Sequence, residues 1–439
     1  MSVVPTEASA VPRRVLYSKI GWRLLPILFL GYVVNNLIRN NVAVAKLAFV
    51  PALGFSQAVF GLGASLFYVG YVLFEIPSNL LLMRIGARLT FLRIMILWAI
   101  FSFGLALMNQ PWHYYVLRAL LGAAEAGFLP GVLVYLSAWA PRARRARFTA
   151  LFMASIPISG LIGGPLAGVL MHGLDGAAGI AGWRWLFAVE ALPAFALAAL
   201  FFRGIVDKPA HASWLTPAER SAIEADVAAD DADAAGPPRR SARASLADPA
   251  TYLIGVQALA SLCTLNGLIL WGPSILKAAG GGDVLRVGLL SALPQFVGVF
   301  ALLGNAELSD RRSERLWHTV VPSLLAAAAW LLLPVFHGQL VAVVILMMAV
   351  AAGVFGATAT FWSIPSHYLR GPDAAAGVAL ITTLGAIGAM MGAAVVGWLA
   401  DRTGSLAAGQ YFYCATSLVG VAALLIGVRL LRRRITQPA

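Results

Sequence analysis

Apolar runs of roughly 20 residues recur from one end of this chain to the other. That is the length an α-helix needs to cross the hydrocarbon layer of a bilayer. Only closed barrels and helices satisfy their own backbone hydrogen bonds there, and runs this long and continuous fit helices. Of the 439 residues, 60% are hydrophobic and 12% charged, about half the charge of a soluble chain. The chain therefore reads as a polytopic, all-α integral membrane protein. Spans are predicted near 22–44, 57–82, 89–108, 112–139, 148–171, 184–202, 251–276, 285–306, 317–336, 339–368, 374–400 and 409–430. The first run is too long for a cleaved signal, lacks a small-residue cleavage site, and is read as a permanent span.

The net charge of +13 would suggest nucleic acid in a soluble protein. Here the basic residues fall in alternate loops. They cluster at Arg13, Arg14, Lys19 and Arg23, at Arg84, Arg88 and Arg93, at Arg142 to Arg147, at Arg311, Arg312 and Arg315, and at Arg432 to Arg434. The opposite loops hold little beyond Lys46, Arg184, Lys277, Arg286 and Arg402. Such a bias orients a membrane protein with its basic loops in the cytoplasm, which places both termini there. No nucleic-acid partner is expected. The cysteines, Cys263 and Cys414, lie in apolar runs and suggest neither a disulfide framework nor a metal site.

A polar segment over 203–250 divides the chain into a first half, 1–202, and a second half, 251–439. Within it, Thr216, Pro217 and Glu219 match a capping box with proline at the first helical position, so a short helix starts there. The PPRR that follows reads as linker. The loops NLLLMRIGAR (79–88) and GNAELSDRRSER (304–315) occupy corresponding places in the two halves. Repeated six-helix halves are the organisation of many secondary transporters, whose substrate site lies between them near mid-membrane.

Ionisable residues inside spans are functional candidates by default. The first half holds Arg39, Glu75, Arg118, Glu125 and Glu190. Arg39 stands among Asn35, Asn36, Asn40 and Asn41, and the first acid after it is Glu75. So polar a stretch is costly against lipid and is expected to line a water-filled cavity, where a guanidinium makes a fork for a carboxylate. Arg118 and Glu125 are seven apart, hence on one helix face. A carboxyl in a cavity of this kind can carry a proton. Either that is the role of Glu125 or the two neutralise one another structurally. In the second half Gln257, Asn266, Trp271, Gln295, Trp362, His367, Thr382 and Thr383 are the polar and aromatic candidates. Gly160, Gly164 and Gly168 form a ridge four residues apart, suited to close helix contact, and TLGAIGAMMGAAVVG (383–397) does similar work. No phosphate loop, His-Glu-x-x-His or nucleophile with paired carboxylates is found, so an enzyme is not expected.

FYVGYVLFEIPSNLLLMRIGAR (67–88), LRALLGAAEAGFLPGVLVYLSAWAP (117–141), RARFTALFMASIPISGLIGGPLAG (145–168), GWRWLFAVEALPA (182–194), WLTPAER (214–220) and LSDRRSERLWH (308–318) resemble the anion:cation symporter family of the major facilitator superfamily. The resemblance spans nearly the whole chain. It implies twelve transmembrane helices in two six-helix bundles, alternating access, and uptake of a small organic carboxylate with protons across the bacterial inner membrane. It implies no cofactor and a monomer. Arg39 matches the family's carboxylate binder, while Ile38 stands where the family has an aspartate linked to proton coupling. Glu125 and Arg118 match the fourth-span pair, as coupling residues. Tyr32, Asn35, Asn36, Tyr71, Asn266, Gln295 and Thr382 are the further substrate-site candidates. Asn79, Arg84, Arg88, Asp310, Arg311 and Arg315 are the candidates for conformational gating. On the eleventh span the family's asparagines are replaced by Thr382 and Ala386, and on the seventh Asn266 replaces an aromatic. Three rivals follow from these departures: an uncoupled facilitator, an anion exchanger, or a membrane sensor that no longer transports.

Overall fold

The computed structural model describes residues 11–234, 248–368 and 372–436. Among them the secondary structure is helical throughout. Ten helices are long and apolar enough to cross a membrane, and Leu316–Leu332 is a shorter apolar helix. Gln57–Ala106 runs through 50 residues and crosses twice, because it reverses at Gly86. Counting its two arms separately, the spans number twelve. Large apolar side chains such as Leu73, Ile76, Met83, Phe300 and Val341 are exposed, as a lipid-facing surface requires.

Span 1 consists of Arg13–Asn40 and Val42–Ala52, interrupted at Asn41. It is longer at both ends than the hydropathy pattern suggests. The basic residues read as an N-terminal arm are helical from Arg13 onward, and Lys46 is no loop residue: it is 3% exposed within the span. Its long apolar stem and its aromatic neighbours make that burial possible. Spans 2 and 3 are the two arms of Gln57–Ala106. Span 4 is broken into Pro111–Glu125 and Phe128–Trp139, with Gly127 at φ +90°. A Cβ there would lie 2.4 Å from Ser78 Oγ, so only glycine lets the chain re-enter a helix against span 2. Arg142–Met153 and Ser155–Gly173 form span 5, and Gly182–Gly204 span 6.

Spans 7 to 12 are Pro249–Ala278, Val284–Arg312, Leu316–Leu332, Leu340–Phe361 with its continuation Ser363–Tyr368, Pro372–Thr403 and Ala407–Thr436. The 304–315 segment is therefore mostly helix rather than loop, ending in Ser313 at φ 51°. Between the halves lies the helix Pro217–Ala234. The capping box forms: Thr216 N donates to Glu219 Oε2 at 2.8 Å, and Glu219 N to Thr216 Oγ1 at 3.2 Å. Lys19 and Arg13 of span 1 hold this helix through Glu219 and Asp226, at 2.8 and 2.9 Å. The PPRR stretch lies outside the described residues.

The halves meet chiefly along two helix pairs, span 2 with span 11 and span 5 with span 8, with a smaller contact of span 1 on span 7. The glycine ridge serves the second pair. A Cβ on Gly164 would lie 2.8 Å from Gly288 O, and one on Gly168 3.1 Å from Leu285 Cα. In the first pair Ser65 Oγ donates to Met390 O at 2.7 Å. Asp401 accepts from the Gln57 and Ala58 amides at 2.9 and 2.8 Å, closing the start of span 2 onto the end of span 11. These contacts run from mid-depth to the end of the bundle away from the termini, so that end is shut.

Two outcomes follow. Gly86 has φ +84° and ψ 171°, and a Cβ would meet Asp207 Oδ1 at 2.6 Å. Gly86→Ala is expected to cost about 1–3 kcal/mol, read as a lower Tm in detergent; an unchanged Tm contradicts the tight reversal. The Lys19 ammonium beside Glu219, with the Thr216 amide, holds that half-buried carboxyl below the usual carboxylate range. The contact is therefore present above the ordinary glutamate pKa and is lost as pH falls through the lowered one. Amide exchange over 217–226 should rise on acidification in wild type, and the rise should shrink in Lys19→Ala.

Candidate functional site

A cavity of about 480 Å³ lies between the halves at mid-depth. Span 1 lines it with Tyr32, Asn36, Arg39, Asn40 and Asn41, and span 2 with Tyr68, Tyr71 and Glu75. From the second half come Asn266, Ser291, Gln295, Thr382 and Thr383, with Met347 and Phe355 as apolar wall. Of the substrate-site candidates only Asn35 is absent from this lining. It is 1% exposed and its side chain instead reaches the Glu125 carboxylate. Gln257 and Trp271 also lie elsewhere: Gln257 bonds Ser261 and Ser323 within the second half, and Trp271 is 1% exposed core. Trp362 packs on Phe361 outside the cavity lining. The side chain of His367 lies outside the described residues.

Arg39 sits in the last turn of Arg13–Asn40, where the unpaired carbonyls favour a cation. Its Nη1 donates to Glu125 Oε1 at 3.2 Å. The arginine side chain is 25% exposed and the glutamate 5%. The cation thus faces the cavity while the carboxylate stands behind it. Glu125 itself ends the first helix of span 4, so the break at Ala126 and Gly127 lets it meet span 1. A charge pair this deep is held by geometry on both sides, because removing either partner leaves a buried ion.

Arg118 does not neutralise Glu125 by direct contact. It is 1% exposed, its Nε and Nη1 have no hydrogen-bond partner, and its Cζ lies 4.8 Å from the Phe67 ring centroid. Arg39 Cζ lies 5.1 Å from the same ring and 5.2 Å from that of Tyr68. Phe67 therefore contacts both guanidiniums and keeps them apart. Phe67 and Tyr68 are not among the residues the sequence singles out, although they stand four and three positions before Tyr71 and so share its helix face. Tyr68 also joins the halves, its hydroxyl donating to Asn266 Oδ1, while Asn266 Nδ2 donates to Leu262 O at 2.9 Å.

The gating candidates pair within their own halves. The Arg88 amide donates to Asp207 Oδ1 at 2.9 Å, and its guanidinium stacks 4.0 Å from the Phe202 centroid. Arg315 pairs with Asp310, and Arg311 with Glu307 at 2.5 Å. Asn79 Oδ1 is buried without a partner, and Arg84 is exposed.

The Major Facilitator Superfamily matches residues 28–393. A metabolite transport protein of Pseudomonas putida named NicT is 40% identical over 89% of this chain and 90% of its own. A protein of Agrobacterium vitis named as a tartrate transporter is 40% identical over 94% and 91%. A quinolone resistance transporter of Acinetobacter baumannii is 37% identical over 95% and 96%. In three dimensions, an inward-facing bacterial homolog of the human lysosomal transporter Spinster superimposes with a TM-score of 0.73 over 94% of this chain and 96% of that one, at 17% identity. The chain belongs to the Major Facilitator Superfamily. Its relatives are transporters of small molecules, consistent with the anion-permease branch to which its motifs pointed.

Gly164→Val should prise spans 5 and 8 apart. Amide exchange over 161–168 and 284–291 is expected to quicken; unchanged exchange contradicts the closed far end.

Proposed function

We propose that this protein is a secondary active transporter that moves a small organic carboxylate together with protons by alternating access. It would sit in the bacterial inner membrane with both termini cytoplasmic. The observation that carries this reading is the Arg39–Glu125 pair at the cavity wall, 3.2 Å long and exposed on the arginine side alone. Without substrate, Glu125 neutralises Arg39. A substrate carboxylate entering the cavity offers the guanidinium a two-point partner and draws it forward. Glu125 then loses its counter-charge in a buried position, with the neutral Asn35 amide left on it. A bare carboxylate there is too costly to persist, so it takes a proton. Anion and proton are thereby bound together, and release of one favours release of the other. Ile38, 3% exposed beside Arg39, offers no second acid for this exchange.

Asn266, Gln295, Thr382 and Thr383 add neutral donors and acceptors on the opposite wall. Those suit a hydroxylated acid, in keeping with the tartrate in a relative's name. The gating role falls to Asn79, Arg84, Arg88, Asp310, Arg311 and Arg315; the contacts of Arg88, Arg311 and the Asp310–Arg315 pair do not cross between the halves and leave the near end free to open.

Uptake of labelled tartrate and other carboxylates into proteoliposomes tests the reading. Arg39→Ala should weaken apparent affinity about 10- to 100-fold, the worth of one or two charge-assisted hydrogen bonds. Glu125→Gln should exchange substrate across the membrane yet fail to accumulate it in a pH gradient. Accumulation by Glu125→Gln equal to wild type would place coupling elsewhere.

A further inference from the structure

Glu190 lies within span 6, 5% exposed, and has no part in the exchange between Arg39 and Glu125. Its partner is Asn41, whose Nδ2 donates to Glu190 Oε2. Two atoms of this contact are left over. Glu190 Oε1 and Asn41 Oδ1 are both buried, and neither has a hydrogen-bond partner. With an ionised glutamate both are acceptors, and no donor answers them. With a protonated carboxyl the O–H is the missing donor and Asn41 Oδ1 its acceptor. Acid and amide then close a ring of two hydrogen bonds, and every polar atom of the pair is satisfied.

No cation stands in for that proton. Spans 1, 3 and 5 pack against span 6, and their charged groups are engaged elsewhere. Arg39 is turned to Glu125, and Lys46 lies 3.5 Å from the Trp271 centroid. Arg93 bonds Ser78 Oγ, and His172 faces Asp283. On span 6 itself Arg184 bonds Ala106 O and Asn109.

The location gives the pair a route to the cavity. Asn41 is the residue at which span 1 breaks, it lines the cavity, and it follows Arg39 by two positions. A shift of that break carries Asn41 with it, separates the ring and admits water to the carboxyl.

We propose that Glu190 is a second protonation site of the transport cycle. Its neutral acid form is held by Asn41 in the state seen here, and it loses its proton to cavity water when span 1 moves against span 6. The carboxyl O–H breaks and the proton forms an O–H bond to a cavity water, leaving a carboxylate and a hydronium. This assignment rests on the proton-coupled reading above.

Glu190→Gln keeps both hydrogen bonds with an amide in place of the acid, so fold and tartrate binding should persist. Infrared spectra of the purified protein should show a buried-acid C=O band in wild type that Glu190→Gln removes. In proteoliposomes loaded with tartrate, the reversal of flux against imposed pH gradients should report one proton fewer per substrate in the variant. Asn41→Ala, which keeps Glu190, should move the band to the frequency of an unpaired acid. Glu190→Gln that removes no acid band, or Asn41→Ala that leaves it in place, overturns the paired acid. A wild type that accumulates tartrate, with an unchanged proton ratio in Glu190→Gln, overturns the Glu190 assignment alone. A wild type that accumulates no carboxylate in any pH gradient overturns the proton-coupled reading and the coupling role of Glu190 with it.

Discussion

An arginine in the middle of a bilayer must have a partner. Insertion scales put the cost of the unpaired side chain at roughly 2.5–3.5 kcal/mol or above. In this protein the partner is Glu125, and much of the first half is arranged to deliver it. Span 4 stops at Glu125 and restarts after Gly127, and span 1 ends its first helix one residue past Arg39. Two interrupted spans thus present their helix ends to one another at the cavity wall. Irregular backbone at this depth is tolerated only where it is buried or lines a cavity, and here it does both.

A second cation solves the same problem differently. Lys46, seven residues beyond Arg39, makes no ion pair among the described residues, and Asp401 acts on it only from a distance. Its ammonium lies 4.4 Å from the Phe60 centroid in one half and 3.5 Å from Trp271 in the other. Cation–π contacts of this kind are worth about 2 kcal/mol when desolvated. They lie at the shut end of the bundle, together with Asp401 on the span 2 amides. Arg39 and Lys46 therefore differ in surroundings: Arg39 borders the cavity, while Lys46 is sealed between aromatic rings that belong to both halves.

Hydropathy and charge bias were sufficient to expose the twelve spans, because each must be apolar over a fixed length. The capping box at Thr216 and the glycine ridge of span 5 were legible for the same reason, since both are local patterns. What could not be read was long-range pairing. Arg39 and Glu125 are 86 residues apart, and Asn41 and Glu190 are 149 apart; spacing says nothing about either. Arg118 looked like the natural partner of Glu125 because helical periodicity puts both on one face, yet Phe67 of another span occupies its side. Lys46 was read as a loop residue because hydropathy treats a lysine as an end signal and cannot see the rings that cover it.

In the proposed cycle, substrate carboxylate and Glu125 compete for Arg39, so that binding draws in a proton. Calorimetric titration of the purified protein with tartrate, in buffers of different ionisation enthalpy, counts the protons taken up per anion bound. The account predicts net uptake in wild type and loss of one proton from that count in Glu125→Gln. Binding with no net proton uptake in wild type, or with the same uptake in both proteins, would contradict it.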